Sequence, residues 1–408
     1  MKLGINGLGR IGKLTLWDHI SKKYYKEITV NLGREAGSSL NDIAQYIVRD
    51  STYGSLPMYL HGCKCGEIIC DINEIAGTMT IDGTVVTFLR KSRNPGELDW
   101  KGHNVNLVID TTGQFTDPTT SADKPGGSLR GHLDAGADRV ILSAPFKIKD
   151  KTKSMPDDAV TCVKGINEHD YDPSKHRLIS SASCTTTCLS HMIKPVLDVI
   201  GAKRILTASM ATVHATTGSQ PVLDRMAQPG ATDLRKNRGI LNNIILTTTG
   251  AAKALALVLP QMTQIGFIAE SVRVPITTGS LIIFVVNIQE DESKSSINRD
   301  VINEIYRQAA SSPHSYLVYT DEQNVSGDII AMPKAAAIIE GHETHTRTAE
   351  VSVDIARLTG LRKAHMEDLK DLEVRIPLTQ AVIYGWYDNE MGNYVSMLGE
   401  LTKYIAEA

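Results

Sequence analysis

The chain has 408 residues, 42% of them hydrophobic and 22% charged, and its formal net charge is −3. These values are typical of a globular protein of two or three domains, and they exclude dominant disorder and wholesale binding of nucleic acid. The sequence shows no targeting segment, no apolar run of transmembrane length and only six cysteines. We therefore expect a cytoplasmic protein without a disulfide scaffold and without membrane contact.

The first predicted elements form a strand–helix–strand unit. A short apolar strand over 2–6 leads into the GLGRIG motif of residues 7–12, a helix follows, and a second strand is expected over 27–31. A glycine-rich turn of this kind lets the backbone approach a pyrophosphate, which the helix N-terminus stabilises. In this setting the motif predicts dinucleotide binding, with a plain tight turn as the alternative.

The second strand ends without the carboxylate that normally holds the adenosine ribose hydroxyls and favours NAD. Leu32 stands there, followed by Gly33 and Arg34. The forked guanidinium of Arg34 suits a 2′-phosphate, which slightly favours NADP over NAD as the cofactor. Arg34 as a solvated loop residue is the alternative.

Later elements predict a second kind of sheet. Strands over 105–110 and 139–143 end in small residues, as expected at the ligand crevice of a parallel sheet. Long strand-like segments at 204–214, 266–275 and 280–289 indicate a largely antiparallel α+β region. We therefore expect an α/β Rossmann-type dinucleotide-binding domain with a second, mainly antiparallel domain. Residues 389–405 place apolar side chains on one helical face.

Two stretches read as insertions. Residues 117–128 are loop-like, and residues 334–371 are partly polar, with a charged helix-like run over 357–372. The roles of both insertions stay open at this point.

No metal site is expected. Cys63, Cys65 and Cys70 match no standard zinc spacing and read as incidental thiols of a surface hairpin, although a redox role is open. His342 and His345 are only three residues apart, which is not the HExxH spacing, so a solvated loop is the better interpretation.

The SASCTTTC segment of residues 181–188 carries a candidate nucleophile. Cys184 stands at the start of an apolar helix, where the helix dipole stabilises a thiolate, and neighbouring hydroxyls can donate to an oxyanion. Cys188 lies one turn further along. For either cysteine the alternative is a small buried apolar side chain.

Here the sequence resembles the glyceraldehyde-3-phosphate dehydrogenase family. The motifs that carry the resemblance occur in the family's order and span nearly the whole chain, outside the two insertions. They are GINGLGRIG (4–12), DSTYG (50–54), SAP (143–145), SASCTTTC (181–188), TVHA (212–215), TTTGAAKA (247–254), VRVP (272–275) and WYDNE (386–390).

The resemblance implies a covalent mechanism. Cys184 attacks the aldehyde, while His214 pairs with the thiol, lowers its pKa and acts as general base. Hydride transfer to the nicotinamide leaves a thioester, and inorganic phosphate converts it to an acyl phosphate. A core histidine satisfied by its neighbours is the alternative for His214.

The resemblance also implies two anion sites. Arg273, with Thr217 and Ser219, would bind the substrate's own phosphate. Ser183, Thr185, Thr249 and Gly250 would hold the attacking phosphate, together with a cation from Arg235, Lys236 or Arg238. Lys236 stands where some family members have arginine, although the choice among the three is open.

The cofactor is expected to contact a larger set of residues, with Asn389 at the nicotinamide carboxamide. The set is Asn6, Gly7, Gly9, Arg10, Ile11, Gly12, Arg34, Thr112, Gly113, Ser143 and Asn389.

Departures from the family pattern concern the cofactor more than the chemistry. Leu32 replaces the ribose-binding aspartate, and the loop at 226–230 lacks the Leu-Pro pair typical of NAD-using members. Other departures lie elsewhere: Leu8, Ser181, Thr187, and Asn393 with Tyr394 displaced by one position.

The expected function is phosphorylating oxidation of D-glyceraldehyde 3-phosphate by a cytoplasmic homotetramer, in glycolysis or gluconeogenesis. Erythrose-4-phosphate dehydrogenase, an arsenate-using variant and a non-catalytic regulatory family member are the alternatives. The expected domains are residues 1–183 with 389–408 for the dinucleotide, and 184–388 for catalysis.

Overall fold

A computed structural model describes residues 2–63, 66–227, 229–291, 293, 296–357 and 372–408. The helices are α1 (Arg10–Lys22), α2 (Leu40–Val48), α3 (Leu56–His61), α4 (Gly131–Asp134), α5 (Cys184–Ile200), α6 (Ala251–Val258), α7 (Arg299–Ala310) and α8 (Ser396–Glu407).

The strands are β1 (Lys2–Asn6), β2 (Glu27–Asn31), β3 (Arg49–Asp50), β4 (Gly54–Ser55), β5 (Ile69–Asn73), β6 (Thr78–Ile81), β7 (Thr84–Leu89), β8 (Val105–Asp110), β9 (Arg139–Leu142), β10 (Ala159–Thr161), β11 (Leu178–Ser180), β12 (Ile205–His214), β13 (Ile245–Thr247), β14 (Gly266–Arg273), β15 (Ser280–Gln289), β16 (Leu317–Thr320), β17 (Ala337–Glu340), β18 (His345–Asp354) and β19 (Glu373–Tyr387). Apart from the pair β3–β4, these strands form two large sheets.

The first sheet has the expected dinucleotide-binding topology. Its order is β10-β11-β9-β8-β1-β2-β7-β6-β5, and the strands from β10 to β7 are parallel. Because chain order reverses at β1, with β2 on one side and β8 on the other, a crevice opens at the carboxyl ends of these strands.

Two glycines let the turn after β1 close tightly. Gly7 has φ +98, a backbone conformation that other residues rarely adopt. A Cβ on Gly12 would come within 2.0 Å of the Gly7 carbonyl oxygen, so a side chain there would push α1 away from the turn. The predicted strand–turn–helix unit is confirmed.

The second sheet is mainly antiparallel, as expected. Its order is β13-β14-β12-β15-β19-β17-β16, and β12–β14 and β16–β17 are parallel pairs within it. One face packs against α5 and α7 around Leu189, Phe284 and Tyr306, all of which are buried. Cys188 lies in the same core, which agrees with the alternative that it is a small buried apolar side chain.

The stretch of residues 334–371, which we expect to be an insertion, begins inside the second sheet. Residues Ala337–Glu340 are the buried strand β17, because their apolar side chains complete the second sheet. Residues His345–Asp354 are also ordered as β18, which pairs with β19 along its whole length. The predicted helix-like run over 357–372 lies almost entirely outside the described residues.

The chain returns to the first sheet at its C-terminal end. Helix α8 packs on α1, with Leu398, Leu401 and Ile405 in the core of the first sheet. The preceding residues Met391–Val395 form a π-helical turn, which takes one more residue than an α-helical turn. In the described residues no helix is long and apolar enough to cross a membrane.

Candidate active site

A cavity of about 1250 Å³ opens at the carboxyl ends of β1, β2 and β8. Five of the predicted cofactor residues line it: Asn6, Gly7, Gly9, Arg34 and Thr112. A Cβ on Gly9 would meet no described atom within 4 Å, so the protein's own packing does not require glycine there. Close approach of a bound dinucleotide explains this glycine, and the cavity therefore fits such a cofactor.

A buried hydrogen-bond chain supports the floor of this cavity. Asn31 donates to the Asn6 side chain and Asn6 donates to Asp110, each over 2.8 Å. Trp100 Nε1 donates to His132 Nδ1 over 2.9 Å, so His132 Nε2 donates to Asp110 over 3.1 Å. Burial opposes ionisation, but these donors hold the pKa of Asp110 below its usual value. The sequence analysis missed this support.

The other predicted cofactor residues do not line the cavity: Arg10, Ile11, Gly12, Gly113, Ser143 and Asn389. The Arg10 side chain instead forms ion pairs with Asp50 and Glu390, which joins the start of α1 to the WYDNE segment. These ion pairs occupy the side chain only, and the expected contact of Arg10 with the cofactor stays a prediction. The Ser143 hydroxyl is buried beside Tyr394.

The predicted catalytic pair comes together. Cys184 begins α5 and His214 ends β12, and Cys184 Sγ lies 3.5 Å from His214 Nε2. Ser183 caps α5, since its hydroxyl accepts from the Thr186 N–H over 3.2 Å. His214 Nδ1 lies 2.7 Å from the Ala215 carbonyl, and in the tautomer that donates there Nε2 carries the lone pair that faces the thiol.

The electrostatics of the pair differ from the expectation of a lowered thiol pKa. Burial raises the pKa of the Cys184 thiol, and the positive charge of Arg273 only partly opposes this rise. Burial, with a further contribution from Arg273, lowers the pKa of His214 to about 3. The resting pair is therefore a neutral thiol beside a neutral imidazole.

Arg273 ends β14 next to this pair. Its guanidinium contacts the His214 ring and donates to the Ala215 carbonyl over 3.0 Å. Its buried Nε has no hydrogen-bond partner among the described residues. A cation with an unused donor beside the thiol can bind an anionic group of a substrate.

Tyr387 is a residue that the sequence analysis missed. Its hydroxyl lies 3.1 Å from the Thr185 hydroxyl and 2.8 Å from the Thr212 hydroxyl, and its ring packs edge-on against His214. Burial raises its pKa, so the phenol stays neutral. Tyr387 therefore holds the side chains of Thr185 and His214 in place. Its position inside the WYDNE motif is the sequence feature from which this role could have been predicted.

The remaining predicted anion-site residues lie on separate loops. Thr217 and Ser219 hydroxyls lie 3.1 Å apart, and the Thr249 hydroxyl accepts from a backbone N–H at the start of α6, next to Gly250. No hydrogen bond or ion pair within the described residues joins them to Cys184 or His214.

The three candidate cations differ in their partners. Arg235 pairs with Asp233 and Arg238 with Asp224, each over 2.9 Å. Lys236 is exposed and has no acidic partner within 4.0 Å among the described residues. Lys236 is therefore the cation that an anion can recruit without breaking an ion pair.

A buried carboxylate positions Asn389. Asp388 Oδ1 accepts from Tyr53 over 2.7 Å and from Thr278 over 2.6 Å, and two backbone N–H groups donate to Oδ2. The Ser280 hydroxyl accepts from a backbone N–H and donates to Asn389 Oδ1 over 2.8 Å. The Asn389 amide nitrogen is thus left to donate to a ligand.

Ser181 and Tyr394, two of the departures named from the sequence, contact each other. The Tyr394 hydroxyl lies 2.9 Å from the Ser181 hydroxyl and donates to the Ala182 carbonyl over 3.3 Å. The π-helical turn carries Tyr394 to this position. For metals, the described residues contain no group of three or more candidate ligands.

A parallel dinucleotide-binding sheet beside a buried thiol–imidazole pair defines a nicotinamide-dependent oxidoreductase. Residues 1–118 match the glyceraldehyde 3-phosphate dehydrogenase NAD-binding domain, and residues 183–357 match the C-terminal domain of the same enzyme. The chain therefore belongs to the glyceraldehyde-3-phosphate dehydrogenase family.

Relatives match along their full length. Glyceraldehyde-3-phosphate dehydrogenase 2 of Streptomyces avermitilis is 32% identical, over 99% of this chain and 98% of its own. Glyceraldehyde-3-phosphate dehydrogenase 2 of Bacillus subtilis is 32% identical, over 100% of this chain and 97% of its own. Glyceraldehyde-3-phosphate dehydrogenase of Chlamydia pneumoniae is 32% identical, over 99% of this chain and 98% of its own.

Proposed function

We propose that this protein oxidises D-glyceraldehyde 3-phosphate to 1,3-bisphosphoglycerate, with inorganic phosphate and NADP or NAD. The observation that carries the proposal is the 3.5 Å approach of Cys184 Sγ to His214 Nε2 beside Arg273. The full-length similarity to enzymes named for this aldehyde supports the choice of substrate.

In the proposed mechanism the neutral His214 takes the thiol proton through Nε2, and sulfur adds to the aldehyde carbon. His214 returns this proton to the carbonyl oxygen, which gives a thiohemiacetal. His214 then takes the hydroxyl proton of the thiohemiacetal, and the same carbon loses hydride, for which a bound nicotinamide held by Asn389 would supply the acceptor. The product of this oxidation is a thioester on Cys184. A phosphate oxygen attacks the thioester carbon, the carbon–sulfur bond breaks to release the acyl phosphate, and His214 returns its proton to the Cys184 sulfur.

The anion sites follow from the unused donors. The proposal places the substrate's phosphate on Arg273, whose Nε is free to donate, with Thr217 and Ser219 completing the site. It places the attacking phosphate near Ser183, Thr185, Thr249 and Gly250 at the starts of α5 and α6, where backbone N–H groups point outward, with Lys236 as the cation.

NADP is the slightly favoured cofactor. Arg34 and Arg93 both line the cavity at the end of β2, where the adenosine ribose lies in this fold. Arg93 follows β7, which pairs with β2, and it passes so close to Gly33 that a Cβ there would lie 2.8 Å from its Cγ. Two guanidinium groups suit a 2′-phosphate. Asn389 would then donate to the nicotinamide carboxamide.

The proposed assembly is a homotetramer, and the proposed location is the cytoplasm. Several apolar side chains on and after the loop that follows β12 are exposed: Val222, Leu223, Met226, Leu234, Leu241, Ile244 and Leu246. A patch of this kind favours burial against another subunit. Light scattering should give a tetrameric mass, and a monomeric mass would contradict this assignment. The domain division at residues 183 and 389 also stays a proposal.

The test is a steady-state assay of reduced cofactor formation with glyceraldehyde 3-phosphate, run with and without phosphate. We expect sustained turnover only with phosphate, and a higher kcat/KM with NADP than with NAD. Turnover of erythrose 4-phosphate at the same rate with and without inorganic phosphate would favour the alternative, an erythrose-4-phosphate dehydrogenase. Parallel reactions with arsenate identify an arsenate-using variant. Absence of turnover with every cofactor and anion would contradict the enzyme assignment.

A further inference from the structure

The hairpin of β18 and β19 continues beyond the second sheet as a two-stranded ribbon. Strand β19 pairs with β15 only as far as Leu378, which lies opposite Gln289 at the end of β15. Residues 350–355 and 372–377 form the ribbon beyond this point. At its far end the Ile355 N–H donates to the Leu372 carbonyl over 2.8 Å. Among the described residues no further strand pairs with the ribbon.

The two faces of the ribbon differ in chemistry. Directly opposite residues of an antiparallel pair share a face, and on one face all the side chains are aliphatic. These side chains are Val351, Val353, Ile355, Leu372, Val374 and Ile376. Val351 and Val374 are each 43% exposed. On the opposite face Glu350 forms an ion pair with Arg375 over 3.6 Å.

The ribbon does not bury its aliphatic face by itself. An isolated two-stranded hairpin is at best marginally stable in water, and it needs packing against a further surface. Each exposed valine leaves apolar area in water that burial would turn into stabilisation. The ion pair on the opposite face can stay in water, because exposed ion pairs lose little there. The pattern therefore indicates a covering surface on the aliphatic face alone.

The aliphatic face continues across the open face of the second sheet, the face that points away from α5 and α7. The neighbouring Phe284 and Ala381 are buried in the core, so alternation places Val285 and Val382 on the open face. Ladder pairing aligns one row of residues across this face: His345, Val382, Val285, Ser209 and Ile268. Ile268 is 64% exposed. The ribbon therefore extends a larger apolar surface.

The continuity of this surface favours a second copy of the chain as its cover. Leu246 on β13 lies opposite Val272, which lies opposite Val213 on β12, so the open face reaches the far edge of the sheet. Leu246 belongs to the exposed patch that the proposed assembly buries. A two-fold contact presents the same surface from both subunits, so an apolar face meets an apolar face. One such contact covers the patch, the open face and the ribbon.

We infer that the ribbon is an intersubunit arm, whose aliphatic face packs against the open face of a second copy of this chain. The inference rests on the proposed function, of which the homotetramer is a part. It assigns a role in subunit association to part of the stretch of residues 334–371 that we expect to be an insertion.

The experiment is sedimentation analysis of the full chain over a range of protein concentrations. Val374→Glu places a charge on the aliphatic face, and it should raise the dissociation constant of subunit association by at least about tenfold, because the contact would bury that charge. Ser352→Glu adds the same charge to the polar face of the same ribbon. It is the matched control and should keep the dissociation constant of the wild type.

A milder variant keeps the test open if Val374→Glu fails to fold. Val351→Thr preserves the shape of the side chain and adds one hydroxyl to the aliphatic face, which should raise the dissociation constant by about threefold. An unchanged dissociation constant in Val351→Thr or in Val374→Glu would overturn the inference. Equal dissociation of Val374→Glu and Ser352→Glu would also overturn it, because the effect would not depend on the aliphatic face.

The wild-type protein separates failure of this inference from failure of the proposed function. A wild type that stays monomeric would contradict the proposed assembly and the arm together, whatever its turnover. An assembled wild type that shows no turnover of glyceraldehyde 3-phosphate would contradict the proposed reaction alone. An assembled and active wild type whose association none of the variants weakens would contradict the arm alone.

Discussion

The thiol site and the adenosine end of the cavity are built in different ways. At the thiol site, Cys184 and His214 lie among buried neighbours, and Tyr387 hydrogen-bonds across it. At the adenosine end, Arg34 and Arg93 are exposed, and the loop of residues 117–128 forms one wall. His214 at the first region is buried, whereas the two arginines of the second region are exposed. Packing therefore constrains the catalytic pair more tightly than the residues that we expect to select the cofactor.

The largest expected effect is loss of the nucleophile. Cys184→Ser replaces the thiol by a hydroxyl of far higher pKa, so kcat with glyceraldehyde 3-phosphate should fall by at least about 10³-fold. Steady-state formation of reduced cofactor measures this. Cys70→Ser, at an exposed thiol on β5, is the control and should keep wild-type turnover. Near-normal turnover of Cys184→Ser would remove this thiol from the mechanism.

Removal of the base should have the next largest effect. His214→Asn keeps a polar side chain but cannot accept the thiol proton, and kcat should fall by about 10²- to 10⁴-fold. His191→Asn, at another buried histidine whose Nδ1 lies 2.9 Å from a backbone carbonyl, is the control for loss of a buried imidazole. A similar loss in both variants, with similar thermal stability, would deny His214 a specific role.

The adenosine end should respond more weakly and with cofactor specificity. Arg34→Ala and Arg93→Ala should each raise KM for NADP by about tenfold, because one charge-assisted contact to the 2′-phosphate is lost. KM for NAD should change by less than about twofold. Arg49→Ala, an exposed arginine that does not line the cavity, controls for net charge. An equal rise of KM for NADP and for NAD would show that these arginines do not select the cofactor.

The smallest expected effect is that of mild acid on the thiol site. Burial and Arg273 lower the pKa of His214 to about 3, so the imidazole stays neutral between pH 7 and pH 5. Between pH 7 and pH 5, kcat/KM should therefore show no acid limb from this group, in the range where circular dichroism shows a folded protein. An acid limb near the ordinary histidine pKa of about 6.5 would show that the base is not shielded.

Sequence reasoning succeeded where short spacing carries the information. The turn from β1 into α1 and the helix start at Cys184 are local patterns. The pairing of His214 with the thiol was predicted from the resemblance to the family, which rests on the order of several motifs. Burial is not visible in the sequence, so the raised pKa of Cys184 was not predicted.

Contacts between distant segments account for the other misses. Arg93 joins Arg34 only because β7 pairs with β2, which no local pattern around either residue shows. The ion pairs of Arg10 with Asp50 and Glu390 join segments that lie far apart in the chain, so no local pattern around Arg10 predicts them. Residues 117–128 were correctly predicted as a loop, but their place at the cavity depends on packing against Phe115.

Mass spectrometry of the covalent intermediate tests the central claim most directly. The protein is mixed with glyceraldehyde 3-phosphate and NADP without phosphate, quenched in acid and digested. The account predicts a 3-phosphoglyceroyl group on the peptide that carries Cys184, formed together with one equivalent of reduced cofactor per subunit. This group should be lost when phosphate is added before the acid quench. Reduced cofactor without acylation of Cys184, or acylation of another residue, would contradict it.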